Sequence, residues 1–250
     1  MSGHSKWSSI KHKKGAADAK RGKLFTKLAR AITVAARDGG GDPEGNATLA
    51  TAIQKARDNS MPKDNIQRAI DRGTGEGSDG TIIERIVYEG YGPGGTALMV
   101  DALSDNRNRT GSEIRHAFDR HGGSLGEPNS VSWQFEKRGV ILLDGERYDE
   151  DDLIVAIDAG AEDVDSDGDV VRVLTAPADL TAVRAALEKE GMEIESADVV
   201  MDPKNTVEVD EGDAKTLLRL IDALEDHDDV EAVHANFDIS DEIIEALASA

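Results

Sequence analysis

Four of the eight residues in GTGEGSDG (73–80) are glycine, and the hydrophobic rhythm of the chain changes across them. Before this run, apolar residues recur every three or four positions. After it, they begin to alternate or to form short unbroken runs. A chain that changes period across a flexible linker builds helices first and sheets later, as separately packed units.

The helical part has three segments. From about Ala16 to Asp38, Leu24, Phe25, Leu28, Ile32 and Ala35 share one arc of a helical wheel, and Lys20, Lys23, Lys27, Arg30 and Arg37 share another on the opposite side. RDGGGDPEGN ends this helix through its glycines and Pro43. Leu49, Ala52, Ile53 and Ala56 mark a second helix. Ile66, Ala69 and Ile70 mark a third, with Pro62 as first helical residue and Gly73 as C-cap. Residues 1–14 show no apolar period, so they read as an arm that is at most partly ordered when free.

Beyond the linker, residues 81–104 read strand–turn–strand, turning at Gly90–Gly95. A helix follows, capped by Thr110 and Glu113 as a capping box and closed by Gly122. SVSWQFEKRGVILLD reads as a pair of strands. From residue 139 to 199 the order is βαββαβ, as in a ferredoxin-like split unit, with helices at 150–159 and 177–190. The remainder offers one strand (NTVEV), a helix at 212–225 and a strand (VEAVHANFDI), too little to fold alone. The fold class expected is α+β: an N-terminal three-helix domain (1–75), then two α/β domains. One is discontinuous (81–134 with 201–250) and the other, ferredoxin-like (135–200), is inserted in it.

Charge narrows the function. The chain carries a formal charge of −21. Residues 1–38 hold ten basic and two acidic residues, a balance of +8, against −29 for the rest. A block of like charge of this kind is either a solvated tail or a polyanion-binding arm. An acidic body repels a duplex laid across it, so contact with nucleic acid would be local. The arm supplies Lys6, Lys11, Lys13 and Lys14 for phosphates, with Lys20, Lys23, Lys27 and Arg30 continuing the charge along the first helix. His4 and His12 can donate to phosphates or stack. Trp7 can stack on an exposed base or dock onto the bundle.

Other chemistry is poorly represented. There is no cysteine, which excludes disulfides, thiolate zinc and a cysteine nucleophile. Asp163, Asp165, Asp167 and Gly168 imitate the start of a calcium loop, but Leu174 stands where a bidentate Glu is required. No phosphate-binding glycine motif, paired metal-ligand histidines or serine elbow is present. The expectation is a protein without enzymatic activity, cofactor or metal. The absence of a membrane-length apolar run or a signal-type h-region points to a cytoplasmic protein, monomeric by preference. SDNRNRT (104–110) is a rare basic spot in the acidic body. Asn106, Arg107, Asn108, Arg109 and Thr110 form either a second anion contact or a polar loop whose arginines pair with nearby carboxylates.

GHSKWSSIKHKKGAADAKRGKLFTKLAR, MPKDNIQRAIDRGTG, YEGYGPGG and SDNRNRT together resemble the YebC/PmpR family over essentially the whole chain. That family extends from bacteria to a mitochondrial translational activator of cytochrome oxidase. The resemblance implies a helical domain and two α/β domains around a cleft, with no typical enzymatic activity. It implies two competing roles. One is a DNA-binding transcriptional regulator. The other is a ribosome-associated translation factor that binds ribosomal RNA and relieves stalls at proline-rich stretches. A reading of another class, a protein-interaction adaptor working through its acidic body, stays open beside them.

Overall fold

The computed structural model describes residues 18–75, 83–167, 170–240 and 242–243. The chain is α+β. Helices come first, and two four-stranded antiparallel sheets follow.

Helices α1 (Asp18–Gly39), α2 (Ala47–Asp58) and α3 (Lys63–Gly73) form the bundle. Leu28, Ile32, Leu49, Ile53, Ala56, Ile66 and Ala69 make its core, with Leu24 and Phe25 half-buried at the margin. Asn46 caps α2 by accepting from Leu49 N–H at 3.1 Å, and its amide ties back to the carbonyls of Ala35 and Gly40. Pro62 is the N-cap of α3 rather than its first helical residue. Gly73 has a different part from the C-cap expected of it. It is the last residue of α3, and a Cβ there would lie 2.4 Å from the Thr33 carbonyl oxygen of α1. The left-handed turn falls at Gly75 (φ +97°). Thr33 Oγ1 also donates across the crossing to the Ala69 carbonyl at 3.0 Å.

The first sheet draws on both sides of the linker-to-C-terminus span. Its order is β3 (Ser124–Leu125), β1 (Glu84–Tyr91), β2 (Ala97–Ser104), β9 (Val230–Ala235). Helices α4 (Arg107–Arg120) and α7 (Glu211–Glu225) cover one face, where Ile114, Phe118, Leu217 and Ile221 meet Leu98, Val100 and Val233. Short strands β8 (Val207–Glu208) and β10 (Phe237–Asp238) pair in parallel alongside. The turn between β1 and β2 is a single 3₁₀ turn, Pro93–Gly95.

The second sheet has the order β5 (Ala161–Asp167), β6 (Val170–Thr175), β4 (Phe135–Asp144), β7 (Ile194–Pro203), all pairs antiparallel. This is the ferredoxin-like order, with α5 (Ile154–Asp158) and α6 (Leu180–Lys189) on one face. Asp163 and Asp165 lie on β5 opposite Leu174 and Arg172 of β6, as in a hairpin.

Two local expectations are corrected. Helix α4 begins at Arg107, not at Thr110. Its N-cap is Asn106, whose Oδ1 accepts from Arg109 N–H at 3.1 Å. Thr110 lies inside the first turn and is fully buried. SVSWQFEKRGVILLD is one strand, β4, preceded by a looped stretch. The cause is Glu89, 7% exposed, whose carboxylate accepts from the N–H groups of Asn129, Val131 and Ser132, each at 2.8 Å. Burial alone would raise the Glu89 pKa. These donors outweigh it and hold the carboxyl below its ordinary value.

Candidate nucleic-acid interface

The arm residues His4, Lys6, Trp7, Lys11, His12, Lys13 and Lys14 lie outside the described residues. Lys20 falls within α1. The basic face of α1 is described from Lys23 onward. Its Lys23, Lys27 and Arg30 meet the C-terminal end of α7 and the turn after it, with Lys23 still 57% exposed.

That meeting follows from helix electrostatics. The last carbonyls of a helix lack intrahelical donors and carry partial negative charge. Lys27 Nζ donates to the Glu225 carbonyl at 2.6 Å, and Lys23 Nζ to the Asp226 carbonyl at 3.4 Å. Arg30 donates to the carbonyls of Leu103 and Asp228 at 3.1 and 3.2 Å. Burial pulls the Lys27 pKa below its usual value, partly offset by Glu225, Asp228 and Asp226.

Asp229 is the hub of this contact. Its side chain is 4% exposed. Oδ1 accepts from Arg30 at 2.7 Å, and Oδ2 accepts from Arg109 at 2.7 Å, from Thr110 Oγ1 at 2.6 Å and from Ser104 Oγ at 3.2 Å. Burial opposes its charge, but the bonds from Thr110, Arg109 and Arg30 prevail and lower its pKa to about 2. His227 Nδ1 accepts from Asp229 N–H at 3.0 Å, so the ring proton is on Nε2, shared with Glu113 at 2.8 Å.

SDNRNRT is therefore divided. Arg109 and Thr110 are committed to Asp229, and Arg109 also pairs with Asp105 at 3.0 Å. Asn106 is the helix cap. Arg107 and Asn108 are exposed at the helix start, where the Arg107 carbonyl accepts from Tyr88 Oη at 3.3 Å. Arg30 and Arg109 share one carboxylate, which brings two sequence-derived candidates together across 79 positions.

Sequence reasoning overlooked a second group. A cleft of about 750 Å³ opens beside the α1–α3 crossing, and Arg30, Arg37, Arg68 and Arg72 line it. Arg68 and Arg72 stand four apart on α3, away from the Ile66–Ala69–Ile70 stripe, a spacing that places them on one face. Asp229 was overlooked too. One carboxylate among 50 acidic residues has no local signal of burial.

The bundle is also braced to the second sheet. Arg184 of α6 holds Asp58 of α2 through two bonds of 2.8 and 3.0 Å, and Lys55 pairs with Asp198 of β7 at 2.7 Å. Partial desolvation disfavours the charge of Lys55, whose side chain is 49% exposed, but Asp198 prevails and raises its pKa.

These features define a class: an α+β protein whose basic helical bundle is clamped by ion pairs onto an acidic, two-sheet body. The chain belongs to the TACO1/YebC family. Residues 5–76 match the TACO1/YebC protein N-terminal domain, and residues 83–237 match the TACO1/YebC second and third domain. A "Probable transcriptional regulatory protein" from Rubrobacter xylanophilus is 59% identical over 249 residues, covering 99% of this chain and 100% of the relative. Another from Desulfotalea psychrophila is 57% identical over 250 residues, with 99% and 100% covered. The crystal structure of a conserved hypothetical protein from Aquifex aeolicus superposes with a TM-score of 0.82 at 48% identity, covering 90% of this chain and 93% of that one.

Proposed function

We propose that this chain is a non-enzymatic regulator of gene expression that binds nucleic acid through its basic arm and helical bundle. The carrying observation is the division of charge at the linker. Residues 1–75 hold 15 basic and seven acidic residues, a balance of +8. Residues 76–250 hold 14 basic and 43 acidic residues, a balance of −29. Lysines and arginines held on one unit neutralise phosphates there, while the body repels them. The protein would act in the cytoplasm, as a monomer and without a cofactor.

The names of its relatives, probable transcriptional regulatory proteins, favour transcription, and a regulator of transcription would have DNA as its target. A specific observation favours RNA as the second reading. Lys23, Lys27 and Arg30 are turned onto α7, which interrupts the cationic ridge a duplex would follow. A basic arm bearing one tryptophan suits a crowded RNA surface such as ribosomal RNA, in a translation factor acting at proline-rich stalls. Crosslinking in cells, followed by sequencing of both nucleic acids, tests this. Promoter DNA supports the first variant and ribosomal RNA the second. Recovery of neither, with partner proteins retained after deletion of residues 1–15, refutes nucleic-acid binding in favour of an adaptor.

A further inference from the structure

The cleft beside the α1–α3 crossing has a composition that the fold does not require. Its walls carry four guanidinium groups and one carboxylate, Asp105, which Arg109 already neutralises. Arg30 is bound to Asp229, and Arg37 to Asp38 at 2.8 Å. Among the described residues Arg68 bonds only within its own helix, to the Asp64 carbonyl at 3.1 Å and the Asn65 side-chain oxygen at 2.5 Å. Among the described residues Arg72 makes no ion pair. Two exposed guanidinium groups without a carboxylate partner among the described residues therefore stand one helical turn apart in the lining of a concave site.

The lining is not polar throughout. Phe25, Val34 and Met61 contribute an apolar, partly aromatic wall. A half-buried aromatic ring, Phe25, in the same cleft as two guanidinium groups without carboxylate partners among the described residues matches a nucleotide, with a flat base for the ring and a phosphate for the guanidinium groups. The volume falls within the range of about 300–1,000 Å³ that accommodates a ligand of this size. A duplex keeps its bases inside its stack and cannot offer one to such a wall, whereas a single strand can. Thr26 and Asn65 in the lining carry hydroxyl and amide groups suited to a ribose 2′-hydroxyl.

We propose that this cleft holds a short single-stranded segment of RNA, with phosphates on Arg68 and Arg72 and a base against Phe25 and Met61. The proposal rests on the nucleic-acid reading above but names a site apart from the arm. The arm draws the strand in by charge. The cleft sets the polarity and single-strandedness of what is kept.

The test uses the full chain and fluorescence anisotropy with a labelled RNA strand of about twelve nucleotides, the matching DNA strand and an RNA duplex. Variants are R68Q/R72Q, R72Q alone and K11E/K13E/K14E, each checked by circular dichroism. The expected result is a loss of about tenfold or more for the RNA strand in R68Q/R72Q, with R72Q intermediate and duplex binding unchanged. Should the double variant fail to fold, R72Q alone carries the test. Arginine variants that bind the RNA strand as the wild type does would overturn the cleft. With loss only in the arm variant, the cleft assignment fails and the nucleic-acid reading stands. Equal wild-type affinity for the DNA strand, or displacement of the strand by a free mononucleotide at matched concentration, also overturns the cleft assignment. If the wild type binds none of the three probes, both readings fail.

Discussion

Replacing Asp229 by asparagine keeps the side chain's shape and removes the charge that Arg30 and Arg109 share. The magnitude follows from the carboxyl's own titration. Its pKa falls from the ordinary 3.8 to about 2 on folding. At about 1.4 kcal/mol per tenfold change, that is about 2 kcal/mol of stabilisation at neutral pH. The sign is that of a depressed carboxylate. The contribution is complete above about pH 4 and disappears as pH falls through about 2, so wild type and variant converge in acid. Because the chain has several packed units, a global unfolding midpoint is a blunt readout. Hydrogen exchange along α1 and the C-terminal turn of α7 is a local one. D229N should speed exchange there by roughly thirtyfold at pH 7 and leave the second sheet unaffected. It should also raise affinity for nucleic acid more than D151N, an exposed control with the same charge change, because Arg30 loses its carboxylate and the α1–α7 contact that also holds Lys23 and Lys27 to backbone carbonyls is loosened. Unchanged α1 exchange at pH 7 would refute the clamp. A drop in affinity would refute the idea that α7 competes with nucleic acid for these cations.

Other consequences are separate. Glu89→Gln should cost about 1–3 kcal/mol, because an amide cannot accept all three N–H groups. Residues 126–134 should then become protease-sensitive, and Trp133 emission should shift in a Trp7→Phe background. Trp133 is 67% exposed and donates to the Ser130 carbonyl at 3.1 Å, so it reports on this loop. Gly73→Ala should destabilise the bundle by about 1–3 kcal/mol, since the added Cβ meets the Thr33 carbonyl and the Ala36 Cβ. A melting curve of the variant measures it, and an unchanged midpoint would show that α3 can shift without cost.

The parts of the fold legible in sequence are those where one periodic stripe meets one core. Leu28, Ile32, Leu49, Ile53 and Ile66 were identifiable as the bundle's interior because helical period and burial agree. The βαββαβ order was equally readable, and the sheet realises its topology. Errors arose where a distant group overrides local chemistry. Thr110 and Glu113 match a capping box, but the Thr110 hydroxyl is taken by Asp229, 119 positions away. Residues 131–134 alternate like a strand, but Glu89 holds the N–H groups of Val131 and Ser132, and the Val131 carbonyl holds that of Gln134, so these cannot join a ladder. The candidate site was legible as charge and not as geometry. The wheel that separates Lys23, Lys27 and Arg30 from the apolar stripe cannot say that α7 lies across them. It also gave no reason to group Arg68 and Arg72 with Arg37, which only the helix crossing brings together.

The central claim is that polyanion binding depends on the basic first unit. It is tested most directly by a salt titration of nucleic-acid affinity for the wild type and K11E/K13E/K14E. Each lost phosphate contact reduces the slope of log affinity against log salt by about 0.7–0.9. The account predicts a slope lower by about two to three in the variant, affinity reduced at least about tenfold at low salt, and unchanged melting. Equal slopes and equal affinities in the two proteins would contradict it.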